Sequence, residues 1–178
     1  VNHEKRRQMI IDSIHKNCDS SDKKTQIDEK LLEEVTNLVE YPYAILGSFD
    51  EAYLALPEDL ITITMKTHQR YFPVRYMDGK LANNFVVIRN APFYSESVKL
   101  GNEKVIIPRL ADSKFFFDED LKNKLSANVE KLKNVMFQKD MGTIYEKMQR
   151  MQEIAKYMGA NEDALRAIYL EKADLVSN

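Results

Sequence analysis

A short central segment combines side chains that could contact a nucleic acid. It carries positive charge, hydrogen-bonding groups and an aromatic ring within six positions. Cationic groups bind phosphates as charges, and aromatic rings stack on unpaired bases. An ordinary surface loop can contain the same residue types. Residue chemistry alone therefore does not decide between a nucleic-acid contact and a surface loop. The candidate residues of this segment are Lys66, His68, Gln69, Arg70 and Tyr71.

Four residues further along the chain could extend such a surface. Arg89 lies at the end of a predicted strand. Asn102 and Lys104 lie where we expect a helix to begin, and the free backbone N–H groups of a helix N-terminus favour anions. Arg109 follows in the same predicted helix. The alternative for each residue is a surface loop or a helix cap.

Residue types that perform catalysis or hold metals are poorly placed for it. The three histidines His3, His15 and His68 form no paired metal-binding motif. Only 5 glycines are present, and no phosphate-binding glycine motif occurs. Cys18 is the single cysteine, so an internal disulfide and a cysteine-cluster zinc site are excluded. We therefore predict no catalytic, cofactor-binding or metal-binding residue in this chain.

Opposite charges separate along the sequence. Residues 28–59 contain nine acidic residues and one basic residue, whereas residues 61–110 contain eight basic residues and three acidic ones. A chain with a net charge of -2 can therefore still present a basic face. The alternative is that the two charged surfaces partly neutralise each other.

Length and composition indicate an ordinary globular chain. It has 178 residues, of which 44% are apolar and 30% charged. No apolar run approaches the roughly 20 residues that span a bilayer, and no signal peptide is recognisable. Because the first residue is Val1 rather than methionine, we interpret the chain as an internal piece of a longer protein. A lone cysteine suits a reducing compartment.

Periodicity predicts two helices at the start of the chain. Residues 3–17 form the first, and the polar stretch 17–25 is predicted to be a loop. Asp28 can cap the second helix, whose apolar stripe runs through residues 31–39 before Pro42. We predict that Leu32, Val35 and Val39 face the core.

The sequence in the middle of the chain predicts a β-hairpin. Residues 70–77 and 84–90 are apolar and aromatic runs on either side of Asp78-Gly79, a strong turn signal. Pro73 predicts an edge position or a bulge in the first strand. The preceding run 60–65 fits either a strand or a helix, and the Pro-Glu-Asp sequence before it favours a helix.

Helical patterns follow from Asn102 onward. Pro108 is expected to kink or divide the first of these helices. Further amphipathic helices are predicted over 121–136 and 144–158, and Asn161 caps a last one. The predicted fold class is therefore α+β, with a small mixed or antiparallel sheet, packed helices and a following helical segment.

Several strings, taken in order over nearly the whole chain, resemble the beta subunit of the bacterial heterotetrameric glycyl-tRNA synthetase. Each string is weak by itself, but their ordered sum is specific. The strings are LLEEVTNLVEYP (31–42), MKTHQRYFPV (65–74), DGKLANNF (78–85), GNEKV (101–105), RLADSKFFFDED (109–120), LKNVMFQKDMGTIYEKMQRM (132–151) and KADLVSN (172–178).

This resemblance implies a part in joining glycine to tRNA in the cytoplasm. It implies two partners, the alpha subunit and tRNA for glycine, and ATP with Mg used by the holoenzyme rather than by this piece. Activation of glycine would belong to the alpha subunit. Residues 1–140 would resemble the editing-type domain of phenylalanyl-tRNA synthetase beta, and residues 141–178 would begin a helical domain of the HD type.

Three hypotheses for the chain remain at this point. In the first, it is a tRNA-binding accessory region without its own chemistry. In the second, it is a scaffold that braces other domains or the alpha subunit without touching RNA. In the third, it is an editing-like hydrolase, which is the least favoured because a pocket for glycine already excludes larger amino acids by size.

Overall fold

The structure is a computed structural model that describes residues 2–177. It separates into two compact units, a first unit of Val1–Phe115 and a second unit of Phe116–Asn178. The assignment of residues 1–140 and 141–178 to two domain types stays a prediction. Among residues 2–177, none of the helices combines the length and the apolar composition of a membrane span.

An antiparallel sheet with packed helices, followed by a helical segment, confirms the predicted α+β class. In chain order the regular elements are α1 (His3–Asn17), β1 (Lys23–Thr25), α2 (Glu29–Leu38), β2 (Pro42–Ser48), a 3₁₀ helix (Glu51–Ala55), α3 (Glu58–Ile63), a π-helix (Thr64–His68), β3 (Phe72–Tyr76), β4 (Leu81–Asn90), α4 (Glu96–Leu121), a 3₁₀ helix (Leu125–Asn134), β5 (Met136–Gln138), β6 (Gly142–Thr143), α5 (Ile144–Tyr157), α6 (Glu162–Leu170) and a 3₁₀ helix (Ala173–Val176).

An antiparallel sheet of four strands organises the first unit, in the order β1-β3-β4-β2. The β3–β4 hairpin turns at Asp78-Gly79, where Gly79 adopts a φ of 89° that a residue with a side chain rarely takes. The register of β3 against β4 shifts between Pro73 and Arg75. Pro73 therefore lies at a bulge, one of the two placements that its missing N–H predicts.

Helices α1 and α2 cover one face of this sheet. Ile10 and Ile14 of α1 pack with Leu32 and Val35 of α2, and with strand residues such as Val86. The predicted inward positions of α2 are confirmed, since Leu32 is 0% and Val39 7% exposed. The predicted cap is also confirmed, because the Asp28 carboxylate accepts a hydrogen bond of 2.9 Å from the Leu31 backbone N–H.

The other face of the sheet carries an aromatic pair. Successive strand residues point to opposite faces, so Phe85 lies on the face opposite Val86. The ring of Phe85 stacks on Tyr71 with 4.4 Å between centroids. The Tyr71 hydroxyl donates a hydrogen bond of 2.7 Å to the side chain of Asn102 in α4. Helix α4 therefore contacts this face of the sheet.

Two expectations for the first unit were wrong. Residues 23–25 form a strand rather than the end of a loop, because Lys23–Thr25 pair with β3 as a short polar edge strand. A strand of this kind has no apolar alternation to reveal it. Asn102 does not cap a helix, since α4 begins at Glu96. Its side-chain amide donates instead to the carbonyl of Val98.

The second unit is helical apart from the small β5–β6 hairpin. An amphipathic α-helix over 121–136 was the wrong expectation, because Leu125–Asn134 form a 3₁₀ helix and Met136 begins β5. A 3₁₀ helix has three residues per turn, which places Val129 and Leu132 on one buried side. The capped α5 and α6 were correctly predicted, and Gly159 ends α5 with a φ of 78°.

Candidate nucleic-acid interface

The segment with the candidate RNA-contacting residues has an unusual backbone. It begins as the π-helix Thr64–His68, which directly follows α3. Arg70 then adopts a φ of 56°, a left-handed conformation that costs a residue with a side chain about 1–2 kcal/mol. Such strain persists only where the surrounding structure enforces it, and it is frequent at functional sites. The strained residue Arg70 therefore lies inside the segment 66–71, whose residue types predict contact with a nucleic acid.

Tyr71 anchors this segment to the core. Its side chain is 1% exposed and packs against Phe85, which differs from the expectation of an accessible stacking group. Burial raises the pKa of Tyr71 to about 12, so the hydroxyl stays protonated and donates to Asn102 at neutral pH. This hydrogen bond brings Tyr71 and Asn102 together. The pair positions the residues that precede Tyr71 in the segment.

Helix α4 makes a second contact with the segment through Ser113. The hydroxyl groups of Thr64 and Ser113 lie 3.0 Å apart. Arg109 lies between Asn102 and Ser113 on the same side of α4, since an α-helix turns about 100° per residue. Arg109 is exposed, and among residues 2–177 it has no ion pair. Arg109 therefore lies on the side of α4 that contacts the strained segment.

Two candidate residues do not join this arrangement. Lys104 follows Asn102 by two positions, which places it about 200° around the helix axis and on the outer side of α4. Arg89 is close to Phe93, with the guanidinium carbon 4.8 Å from the ring centroid. Its side chain also donates to the carbonyl oxygen of Phe93. The predicted helix-start site at 101–104 is absent, because these residues lie inside α4.

Two candidate cations pair with acids of α2 or its cap. Lys66 lies 3.4 Å from a carboxylate oxygen of Asp28, and Arg70 lies 2.5 Å from one of Glu34. The pKa of Asp28 is lowered by the hydrogen bond from the Leu31 N–H and by the charge of Lys66. The acidic and basic stretches of the sequence therefore meet here, which reduces the positive charge of the segment.

A cavity of about 330 Å³ lies beside these ion pairs. Its lining has charges of both signs, so it has no excess of positive charge to attract a phosphate. The lining residues are Asp28, Lys30, Leu31, Glu34, Lys66 and Thr67.

His68 and Gln69 remain available at the surface. His68 is exposed and Gln69 is half-buried, between the two ion-paired cations. Neither side chain has a hydrogen bond to another residue in the described part of the chain. Ring stacking and hydrogen bonding to an unpaired base are the interactions that these groups can offer.

The single cysteine lies in the core of the first unit. Cys18 is buried, and burial raises the pKa of its thiol to about 12, which suppresses the reactive thiolate at neutral pH. Across the described residues 2–177, no three His, Cys, Asp or Glu side chains are grouped closely enough to hold a metal ion.

Sequence reasoning missed the partners of the candidate cations. Asp28, Glu34 and Ser113 all contact the strained segment or its flanks. The available signal was the acidic character of residues 28–59. It indicates that these acids could neutralise the basic stretch, but it does not identify which residues pair.

Comparison with known proteins identifies relatives along the whole chain. A family model described as glycyl-tRNA synthetase beta subunit matches residues 1–178. The glycine–tRNA ligase beta subunit of Streptococcus agalactiae is 46% identical over 181 residues, which cover 97% of this chain and 27% of that protein. The corresponding proteins of Clostridioides difficile and Listeria monocytogenes are 45% and 41% identical, covering 97% and 100% of this chain. They are covered over 26% and 27% of their own length.

Proposed function

Because the chain belongs to the family of glycyl-tRNA synthetase beta subunits, we propose that it binds and positions tRNA for glycine. The chain spans about 27% of the relatives that it matches, so the proposal concerns one region of such a subunit. The chemistry that consumes ATP with Mg takes place in the alpha subunit under this proposal. This region then acts in the cytoplasm as a non-catalytic part of the ligase.

One observation supports this proposal above the others. His68 and Arg70 are exposed on a strained segment that Tyr71 and Asn102 anchor to the core, and the exposed Arg109 lies on the side of α4 that contacts this segment. A rigid backbone with exposed cationic and ring-bearing side chains suits contact with an RNA backbone and its unpaired bases. Under this proposal, Tyr71 and Asn102 position the segment. The exposed residues His68, Arg70 and Arg109 contact the RNA.

The proposed contacts predict a change in the salt dependence of tRNA binding. In the holoenzyme, Arg70→Ala with Arg109→Ala should weaken binding of tRNA for glycine about tenfold or more. Each lost phosphate contact removes roughly 0.7–0.9 from the slope of log K against log salt. Titration of labelled tRNA at several salt concentrations measures both quantities.

A matched variant removes two charges from another face. Lys5 and Lys16 are exposed residues of α1, which packs on the opposite face of the sheet from Tyr71. Lys5→Ala with Lys16→Ala should leave the affinity and the salt slope at the values of the parent enzyme. Equal effects of the two double variants would contradict a local tRNA surface at Arg70 and Arg109.

The scaffold hypothesis is favoured by one specific observation. The pairs Lys66–Asp28, Arg70–Glu34 and Arg75–Glu58 join the basic stretch to the acidic stretch within the first unit. A region whose cations serve mainly to hold its own elements together would not need RNA. Under that hypothesis, the Arg70 and Arg109 double variant retains the full affinity and salt slope for tRNA.

A further inference from the structure

The β5–β6 hairpin of the second unit exposes apolar side chains at its surface. Met136 is 68%, Phe137 37% and Met141 49% exposed. Two residues of the hairpin have positive φ, Asp140 at 66° in the connection and Gly142 at 81° at the start of β6. The buried cluster of this unit is formed by other residues. The hairpin therefore presents an aromatic ring that the core of the unit does not use.

One cation lies over the exposed ring, and two more lie in the hairpin turn and in α5. The Lys147 ammonium lies 4.6 Å from the centroid of Phe137. The Arg150 guanidinium donates a hydrogen bond of 3.0 Å to the carbonyl oxygen of Met141, and Lys139 lies exposed in the turn. Among the residues that the structure describes, none of these three cations has a carboxylate within ion-pair distance. We call Phe137, Lys139, Met141, Lys147 and Arg150 the hairpin surface.

Nearby acids neutralise this surface only in part. Residues 130–150 contain five basic and three acidic side chains, a net charge of +2. The Glu146 carboxylate is engaged at the start of α5, where it accepts a hydrogen bond of 2.6 Å from the Thr143 backbone N–H. This bond lowers the pKa of Glu146. Of the other two acids, Asp140 lies in the turn itself and Glu130 pairs with Lys133.

A second cation–ring pair differs from the hairpin surface. The Lys133 ammonium lies 4.7 Å from the Tyr145 ring centroid, but it also pairs with Glu130 at 2.6 Å. Tyr145 packs against the buried cluster of the second unit. This pair is therefore neutralised and serves the fold, whereas Lys147, beside Phe137, has no carboxylate within ion-pair distance among the described residues.

We propose that the hairpin surface binds a single-stranded stretch of the tRNA. A base stacks against Phe137, and Lys139, Lys147 and Arg150 neutralise the flanking phosphates. The identity of the partner rests on the proposed function. The site itself lies in the second unit, whereas Arg70 and Arg109 belong to the first unit. Three cations without a carboxylate at ion-pair distance among residues 2–177 favour a polyanion such as RNA, and the exposed ring can stack on one of its bases.

Two variants of the holoenzyme test this site separately. Phe137→Leu keeps an apolar side chain but removes the ring, and it should weaken tRNA binding about fivefold to hundredfold with little change in salt slope. Lys147→Ala with Arg150→Ala should weaken binding and reduce the slope by about 1.4, the value for two contacts to a single strand. As a matched control, Lys156→Ala with Arg166→Ala removes two exposed cations from α5 and α6 and should change neither quantity.

The outcomes distinguish this site from the first one. If the Arg70 and Arg109 variant weakens tRNA binding but the hairpin variants do not, the hairpin site is overturned and the proposed function stands. If neither the Arg70 and Arg109 variant nor the hairpin variants change the affinity for tRNA, both the hairpin site and the proposed function are overturned. If the hairpin variants disrupt assembly of the holoenzyme, measured by analytical ultracentrifugation, and the assembled fraction binds tRNA normally, the surface is a protein interface and the RNA site is overturned.

Discussion

Replacing Leu32 by alanine is expected to lower the free energy of unfolding of the chain by about 2–5 kcal/mol. The Leu32 side chain is fully buried between α1, α2 and the sheet. Its truncation loses the transfer free energy of the removed atoms and leaves a cavity, because close-packed interiors relax only in part. Urea unfolding of the chain, followed by circular dichroism, measures the change.

The same helix supplies the control for this prediction. Leu38 is 59% exposed, so Leu38→Ala removes the same atoms from a site that is already in contact with water. We expect it to change the free energy of unfolding by no more than about 0.5 kcal/mol. Similar losses for the two variants would contradict the orientation of α2 against the sheet.

Phe85→Ala is expected to cost about 3–5 kcal/mol of stability. Phe85 is fully buried and stacks on Tyr71 with an angle of 16° between the rings. Gly47 provides the space for it, since a Cβ at that position would lie 2.4 Å from Phe85 Cζ. Loss of this ring removes the support of Tyr71, and with it the anchor of the strained segment.

A milder change at the same place calibrates this prediction. Tyr71→Phe keeps the stacked ring and removes the hydroxyl that donates to Asn102. The expected cost is about 1 kcal/mol, the usual size of one hydrogen bond. Both variants are compared by urea unfolding, and a smaller loss for Phe85→Ala than for Tyr71→Phe would contradict the packing of this face.

Elements defined by local side-chain patterns were predictable from the sequence. The stripe of α2, the cap at Asp28 and the Asp78-Gly79 turn depend on residues that are neighbours in the chain. Their physics is local, because the hydrogen bond of a cap and the period of a helix are set within a few residues. The structure confirms each of them.

Elements created by tertiary contacts were not predictable in the same way. β1 is polar and becomes a strand because it pairs with β3. The α-helix predicted over 121–136 was wrong, because the spacing of its apolar residues did not reveal that Leu125–Asn134 form a 3₁₀ helix. The start of α4 at Glu96 lies before the expected cap at Asn102, which uses its side chain for Tyr71 instead.

The candidate interface was predictable as a segment but not as a surface. Residue types identified positions 66–71 and Arg109, and the structure adds the strained backbone at Arg70. The pairing of Lys66 and Arg70 with acids of α2 or its cap joins residues more than thirty positions apart. No local pattern specifies contacts of that range.

We propose that tRNA lies against the segment around His68, and site-directed photo-cross-linking tests this placement most directly. A photoreactive phenylalanine analogue is placed at position 68 of the beta subunit in the holoenzyme, and at the exposed position 16 of α1 in a second preparation. We expect irradiation with tRNA for glycine to cross-link the RNA at position 68 and to leave it free at position 16. Absence of a cross-link at position 68, or equal yields at both positions, would contradict this placement.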